Sequence, residues 1–168
     1  MRQNALVLAL VAALHTAALF GFFYAWVCST LWGLDQIDPR AAIEAMQGMN
    51  ASVRNVVFFP VFFLTPIWAL LAGIVAWRAG ARLPAGAFAA SAVIVFVGAV
   101  LLTANVNVPM NRALAETAIP QDVAAAQAIW QAYSQPWQFW NFIRTLFSGL
   151  ALLLQFFALY QLGRRFAA

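Results

Sequence analysis

The chain is 168 residues long, 65% hydrophobic and only 8% charged, with nine Lys+Arg against five Asp+Glu and a formal net charge of +4. A composition this apolar excludes an ordinary soluble domain, and at roughly 20 residues per crossing the length accommodates about four membrane spans. The cations are all arginines scattered along the chain, which is no nucleic-acid signature, and a lone Cys28 excludes an internal disulfide framework and a Cys-x-x-Cys redox pair.

The first apolar stretch covers about residues 5–31 and runs on to Leu34. That is too long for the apolar core of a cleaved signal, so it reads as a retained span. Three further stretches follow at about 56–77, 87–108 and 140–162, each long enough to cross. Lipid offers backbone polar groups no partner but one another, and the short alternation of barrel strands is missing, so the spans are expected to be helices. The fold class expected is all-α: one transmembrane four-helix bundle over residues 1–168, with short amphipathic helices in the two outer loops.

Charge sets the orientation. Arg2, Arg78, Arg82, Arg164 and Arg165 fall on one side with no acid, while Arg40, Arg54, Arg112 and all five carboxylates fall on the other. The positive-inside rule then makes both termini and the 78–86 turn cytoplasmic, as in a protein of the bacterial inner membrane. In the first outer loop, Asp38 and Pro39 form an N-cap and first helical residue for a short helix ending near Gly48. In the second, Pro120 opens a helix through Tyr133 that Pro136 is expected to end. Pro60 and Pro66 predict irregularity in the second span, and Pro109 is expected to end the third at Val108. Trp130, Tyr133, Trp137 and Trp140 belong at the outer headgroup level, where amphipathic rings are favoured.

The polar side chains of the spans gather at their outer ends. Asn50, Arg54 and Asn55 stand at the entry to the second span, Thr103, Asn105, Asn107, Asn111 and Arg112 at the exit from the third, and Asn141 and Arg144 at the entry to the fourth. Asn141, Arg144 and Ser148 share one helical face. An arginine facing lipid at that depth costs roughly 1 to 3 kcal/mol, so the face is expected to turn inward to a partner or a wet pocket. Tyr24, Cys28 and Ser29 reach the same level, and His15 sits deeper. Capping and interhelical hydrogen bonding account for such a cluster as readily as chemistry does. The functional reading gains from two arginines converging with no carboxylate in any span, an arrangement suited to an anion, an enolate or a polarised carbonyl. One histidine, one cysteine and five loop acids make a poor metal set, and neither metal nor cofactor is expected.

Two motifs carry a resemblance. Asn105-Val-Asn-Val-Pro-Met-Asn111, followed by Arg112 and Leu114, together with Trp137-Gln-Phe-Trp-Asn141-Phe-Ile-Arg144-Thr145, resembles the anthrone-oxygenase-like integral membrane family, and the likeness covers nearly the whole chain in span order. The resemblance implies a four-helix membrane fold and an oxygenase that converts an anthrone to an anthraquinone with O2 and without an evident metal or flavin. Arg144, Asn141 and His15 are then the candidate catalytic groups. Asn107, Asn111, Arg54, Asn105, Tyr24, Trp140 and Trp137 are the candidate substrate-binding groups. A hydrophobic small molecule and the lipid bilayer are the expected partners, nucleic acid is not, and the apolar faces are compatible with a homo-oligomer. Two other readings suit the same residues: a quinone- or lipid-binding membrane protein, and a non-enzymatic scaffold or assembly factor docking through its outer loops.

Overall fold

A computed structural model describes residues 2–167, and among the described residues there is helix and no strand. Four helices are long and apolar enough to cross a membrane: α1 (Arg2–Leu34), α3 (Phe58–Arg78), α4 (Arg82–Glu116) and α5 (Val123–Ala167). A fifth, α2 (Pro39–Ser52), lies outside the spans. The all-α four-helix bundle is thus observed, and such helices make this an integral membrane protein. Around the bundle, α1 touches α3 and α5, α4 touches the same two, and α2 packs across the ends of α4 and α5 away from the chain termini.

Two helices run on past prolines that were expected to end them. Pro136 does not end the last span: α5 is continuous for 45 residues, about 68 Å at 1.5 Å per residue, against a hydrocarbon core of about 30 Å. The second outer helix of the sequence reading is therefore the first part of α5. The reason is an unbroken buried stripe along one face, through Ala126, Trp130, Tyr133, Trp137, Asn141, Arg144, Ser148, Ala151, Gln155, Ala158 and Leu162. Packing along that whole length outweighs the roughly 3 kcal/mol that an interior proline costs. Pro109 likewise does not end α4 at Val108. It sits in the first turn of a helical segment that follows a π-helical stretch, Thr103–Asn107, so its missing N–H falls at a join in the backbone ladder. Two more π stretches occur, at Trp26–Thr30 in α1 and Phe96–Leu101 in α4.

Asp38 caps α2 through the Arg40 amide at 2.9 Å, with Pro39 as the first helical residue. The helix passes Gly48 and stops at Ser52, because Met46 and Asn50 are both buried beneath it. In the turn between α3 and α4, Gly80 takes φ +77°, and the Ala81 amide bonds the Ala76 carbonyl at 2.9 Å. This six-to-one closure needs a left-handed residue, which glycine adopts without strain. Pro60 sits in the first turn of α3, where no donor is missed, and Pro66 is accommodated inside the same helix. Arg2, Arg82 and Arg164 stack over Phe166, Trp77 and Tyr160 near that end of the bundle.

Candidate functional site

At the opposite end the bundle encloses a hollow. A cavity of about 270 Å³ lies under α2, lined by Phe22, Phe23 and Trp26 of α1, Asn50 of α2 and Arg54 just after it, Phe58 and Phe62 of α3, Thr103 and Asn111 of α4, and Trp137 and Arg144 of α5. It lies just below the usual range for ligand pockets, roughly 300 to 1,000 Å³, and it is mainly aromatic, as such pockets are. Two π turns shape it. Such a turn adds a residue to the ladder and changes which side chains face inward. Trp26 and Thr103, the first residues of two of them, are both in the wall.

Arg144 is the polar centre. Only 5% of it is exposed. Its Nη1 donates to Thr103 Oγ1 at 3.2 Å and its Nη2 to Asn141 Oδ1 at 3.0 Å. Asn141 is oriented for this by donating its own Nδ2 to the Phe23 carbonyl at 3.0 Å, beside the π turn of α1. The guanidinium lies over the rings of Phe23 and Trp137, 4.7 and 5.1 Å from their centroids. Each such contact contributes about 0.5 to 2 kcal/mol to a desolvated cation. No carboxylate lines the cavity. Among the described residues the ion pair found is Arg40 with Asp38, on the surface. Arg144 Nε is buried with no partner at all. The site is therefore a cation held by neutral groups and ring faces, with a donor left over. That environment favours an anion or a developing oxyanion.

A second set of bonds fixes the outer wall. Asn111 Oδ1 accepts from Tyr133 Oη and from Trp137 Nε1, both at 2.9 Å, and Asn50 Nδ2 donates to Tyr133 Oη at 3.1 Å. Further out, Asp35 accepts from Trp130 Nε1, Ser134 Oγ and Gln138 Nε2, each at 2.8 Å, pinning the end of α1 to α5. A groove of about 420 Å³ between α1 and α3 shares Phe22, Trp26, Met49, Val53 and Phe58 with the cavity. The Phe22 and Phe58 rings, 4.8 Å apart, stand in the wall common to both.

Of the candidate residues, the structure brings Arg144, Asn111, Trp137 and Arg54 to the cavity, with Asn141 behind the guanidinium and Arg54 exposed at the mouth. The others lie elsewhere. Asn107 is fully buried outside the lining, and neither end of its amide has a partner. Asn105 is exposed and bonds back to the Leu101 carbonyl at 2.7 Å. Tyr24 is half-exposed and stacks on Phe20, and Trp140 packs edge-on to Phe139. His15 bonds the Val11 carbonyl at 3.0 Å and leans on Trp68, 5.9 Å away between ring centroids, with no contact to the cavity. Tyr133, Phe23 and Asp35 are neighbours of the site that the sequence reading did not place there, and Asn50, which it grouped with the polar residues at the entry to the second span, lies in the lining. The spacing of Tyr133, Trp137, Asn141 and Arg144 along one stripe is the signal that places Tyr133 with them. Among the described residues no group of three His, Cys, Asp or Glu side chains converges.

An integral membrane helix bundle with an arginine-centred aromatic hollow at one end is the class of protein that fold and site define. Residues 49–154 match the family described as Anthrone oxygenase, and the chain belongs to that family. The matched stretch holds α3, α4 and most of α5, and so includes Thr103, Asn111, Asn141 and Arg144. No curated protein and no solved structure matches the chain.

Proposed function

We propose that the protein is a membrane-embedded oxygenase that oxidises a hydrophobic aromatic, phenolic substrate with O2, an anthrone being the type its family description names. The observation that carries the reading is Arg144: buried, facing the cavity, bonded to neutral groups alone, and with a donor unused. A substrate whose acidic ring CH2 lies across the same ring from a carbonyl, so that its anion is delocalised onto the carbonyl oxygen, slides between the phenylalanine and tryptophan rings from the lipid, by way of the groove between α1 and α3. The guanidinium stabilises the enolate formed when one proton leaves. Carbon then bonds to O2, the peroxide anion takes a proton back from water at the mouth of the cavity, the hydroperoxide so formed loses water, and the CH2 has become a C=O. In sum, one oxygen atom of O2 enters the product and the other leaves as water with both hydrogens of the CH2. With His15 and Tyr24 away from the hollow, the proton departs through the mouth that Arg54 lines. The protein supplies binding and electrostatics, and oxygen partitions favourably into the apolar phase. By the positive-inside rule the arginine end is cytoplasmic, which opens the cavity toward the outer face of a bacterial inner membrane.

The Arg144→Gln variant tests this. Loss of one preorganised donor to a developing oxyanion lowers turnover by about 10²–10³-fold. Anthrone-dependent oxygen uptake by the purified variant should fall by that much with helical circular dichroism unchanged, and an unaltered rate removes Arg144 from the chemistry. A second reading, a quinone- or lipid-binding protein, is favoured by the groove that continues the cavity to the bundle surface. Tight binding of a quinone without oxygen uptake from any anthrone would select it.

A further inference from the structure

The amides beside Arg144 have their orientation dictated by a donor-only group. Trp137 Nε1 carries a proton and offers no lone pair, so the Asn111 atom 2.9 Å away is the amide oxygen. The Tyr133 hydroxyl lies 2.9 Å from that same oxygen and must donate its one proton there. It can then only accept from Asn50, 3.1 Å away, whose facing atom is the amide nitrogen. The bonds run in one direction: Asn50 to Tyr133, Tyr133 to Asn111, and Trp137 to Asn111. What remains is Asn111 Nδ2, a donor, and Asn50 Oδ1, an acceptor. Both residues line the cavity, and neither atom is among the buried, partnerless ones, so both open onto it.

We infer that Tyr133 is a positioning residue that makes the cavity present one donor and one acceptor in fixed places, so that it selects an aromatic ligand carrying both an acceptor oxygen, for Asn111, and a hydroxyl, for Asn50. The class is a hydroxylated aromatic ketone. A ketone without the hydroxyl leaves the Asn50 oxygen desolvated and unmatched, and an ether in the hydroxyl's place sets oxygen against oxygen. The two amides depend on Tyr133 unequally. Without the hydroxyl, Asn111 is still held by Trp137, whereas Asn50 is free to turn its nitrogen to the ligand. This inference rests on the reading of the cavity as an aromatic small-molecule site.

Trp26 and Trp137 in the wall give a readout independent of turnover, the quenching of intrinsic fluorescence on titration. The probes are 2-hydroxyanthraquinone, its methyl ether, unsubstituted anthraquinone and anthracene, added to the purified protein at a pH where the phenol is neutral. The wild type should bind the phenol roughly tenfold or more tightly than the ether, the ratio expected for an unmatched buried acceptor. In Tyr133→Phe that ratio should shrink to within about twofold, while anthraquinone still binds better than anthracene through Asn111. Asn50→Leu should compress the same ratio and serves if Tyr133→Phe does not fold. A wild type with no preference for the phenol, or a preference that survives in the folded variants, overturns the role of Tyr133 while Arg144-dependent oxygen uptake stands. Failure of all the probes to quench the wild type removes the aromatic-site reading along with it.

Discussion

The two ends of the bundle are packed by opposite rules. Toward the arginine end, Ala9, Ala12, Ala69, Ala72, Ala76, Ala85 and Ala92 bring the helices together around Phe88 and Leu162 in one closed cluster. Toward the other, Phe22, Phe58, Trp26 and Trp137 hold the helices apart around the hollow. Small side chains let helix backbones approach closely, which is how helices associate in lipid without a hydrophobic driving force. Large rings meeting at tilted angles leave space between them, and polar groups then find partners or wait for a ligand. One end is closed by small side chains and the other is opened by rings, so a charge that would be costly among the alanines is held among rings and amides.

The boundary between the regions is where this contrast breaks most easily. A side chain at Gly98 would overlap the Cβ and ring of Phe147, one turn below Arg144, whereas at Gly21 a new Cβ meets nothing within 4 Å. Gly98→Leu should therefore cost roughly 1 to 3 kcal/mol by overpacking, since Phe147 has to shift to make room. Gly21→Leu should stay within about 0.5 kcal/mol. Reversible unfolding in mixed micelles compares the two, and equal effects would mean that Phe147 moves aside freely.

A smaller effect tests whether polar groups at the closed end do anything but pack. Gln155 Nε2 donates to Ser91 Oγ at 3.1 Å, and Gln155 Oε1 is buried with no partner. Replacing both, Ser91→Ala with Gln155→Leu, should be neutral or stabilising by up to about 1 kcal/mol, since removing both partners also removes the orphan. A marked loss of ligand binding in that double variant would show that the two ends are coupled.

The smallest effect concerns the cap of α2, the roof of the hollow. The Arg40 side chain, and then its backbone amide, hold Asp38 at a pKa of about 2, below its ordinary 3.8. A lowered carboxylate stabilises above its ordinary value and loses that contribution as the proton returns. Protection of α2 from proteolysis should be flat from neutral pH down to about 4 and weaken between about 4 and 2. Asp38→Ala should abolish this dependence, and the arginine end should show none in the same range.

How far the site was legible follows from which residues depend on phase. Asn141 and Arg144 are three apart in a regular stretch of α5, so their shared inward face could be read directly. Asn105 and Asn107 sit in a π stretch, where the extra residue per turn shifts which side chain points inward, and neither reached the cavity. Tyr133 is expected at the headgroup level because amphipathic rings are favoured there, and Pro136 separates it from the last span in the sequence reading. Once α5 is continuous, Tyr133 lies on the stripe of Arg144. His15 and Tyr24 stood at plausible depths on α1, but depth says nothing of azimuth.

By itself the sequence determined the number of crossings, their helical state and the gathering of polar groups at one end, because each is a local sum of solvation over a segment in lipid. Only the tertiary structure decided that prolines at 109 and 136 would be absorbed, that α2 would roof a hollow, and that Asn50, Tyr133 and Asn111 would meet across three helices. Those outcomes balance one local backbone cost against packing and hydrogen bonding between segments far apart in the chain, and no local sum contains that balance.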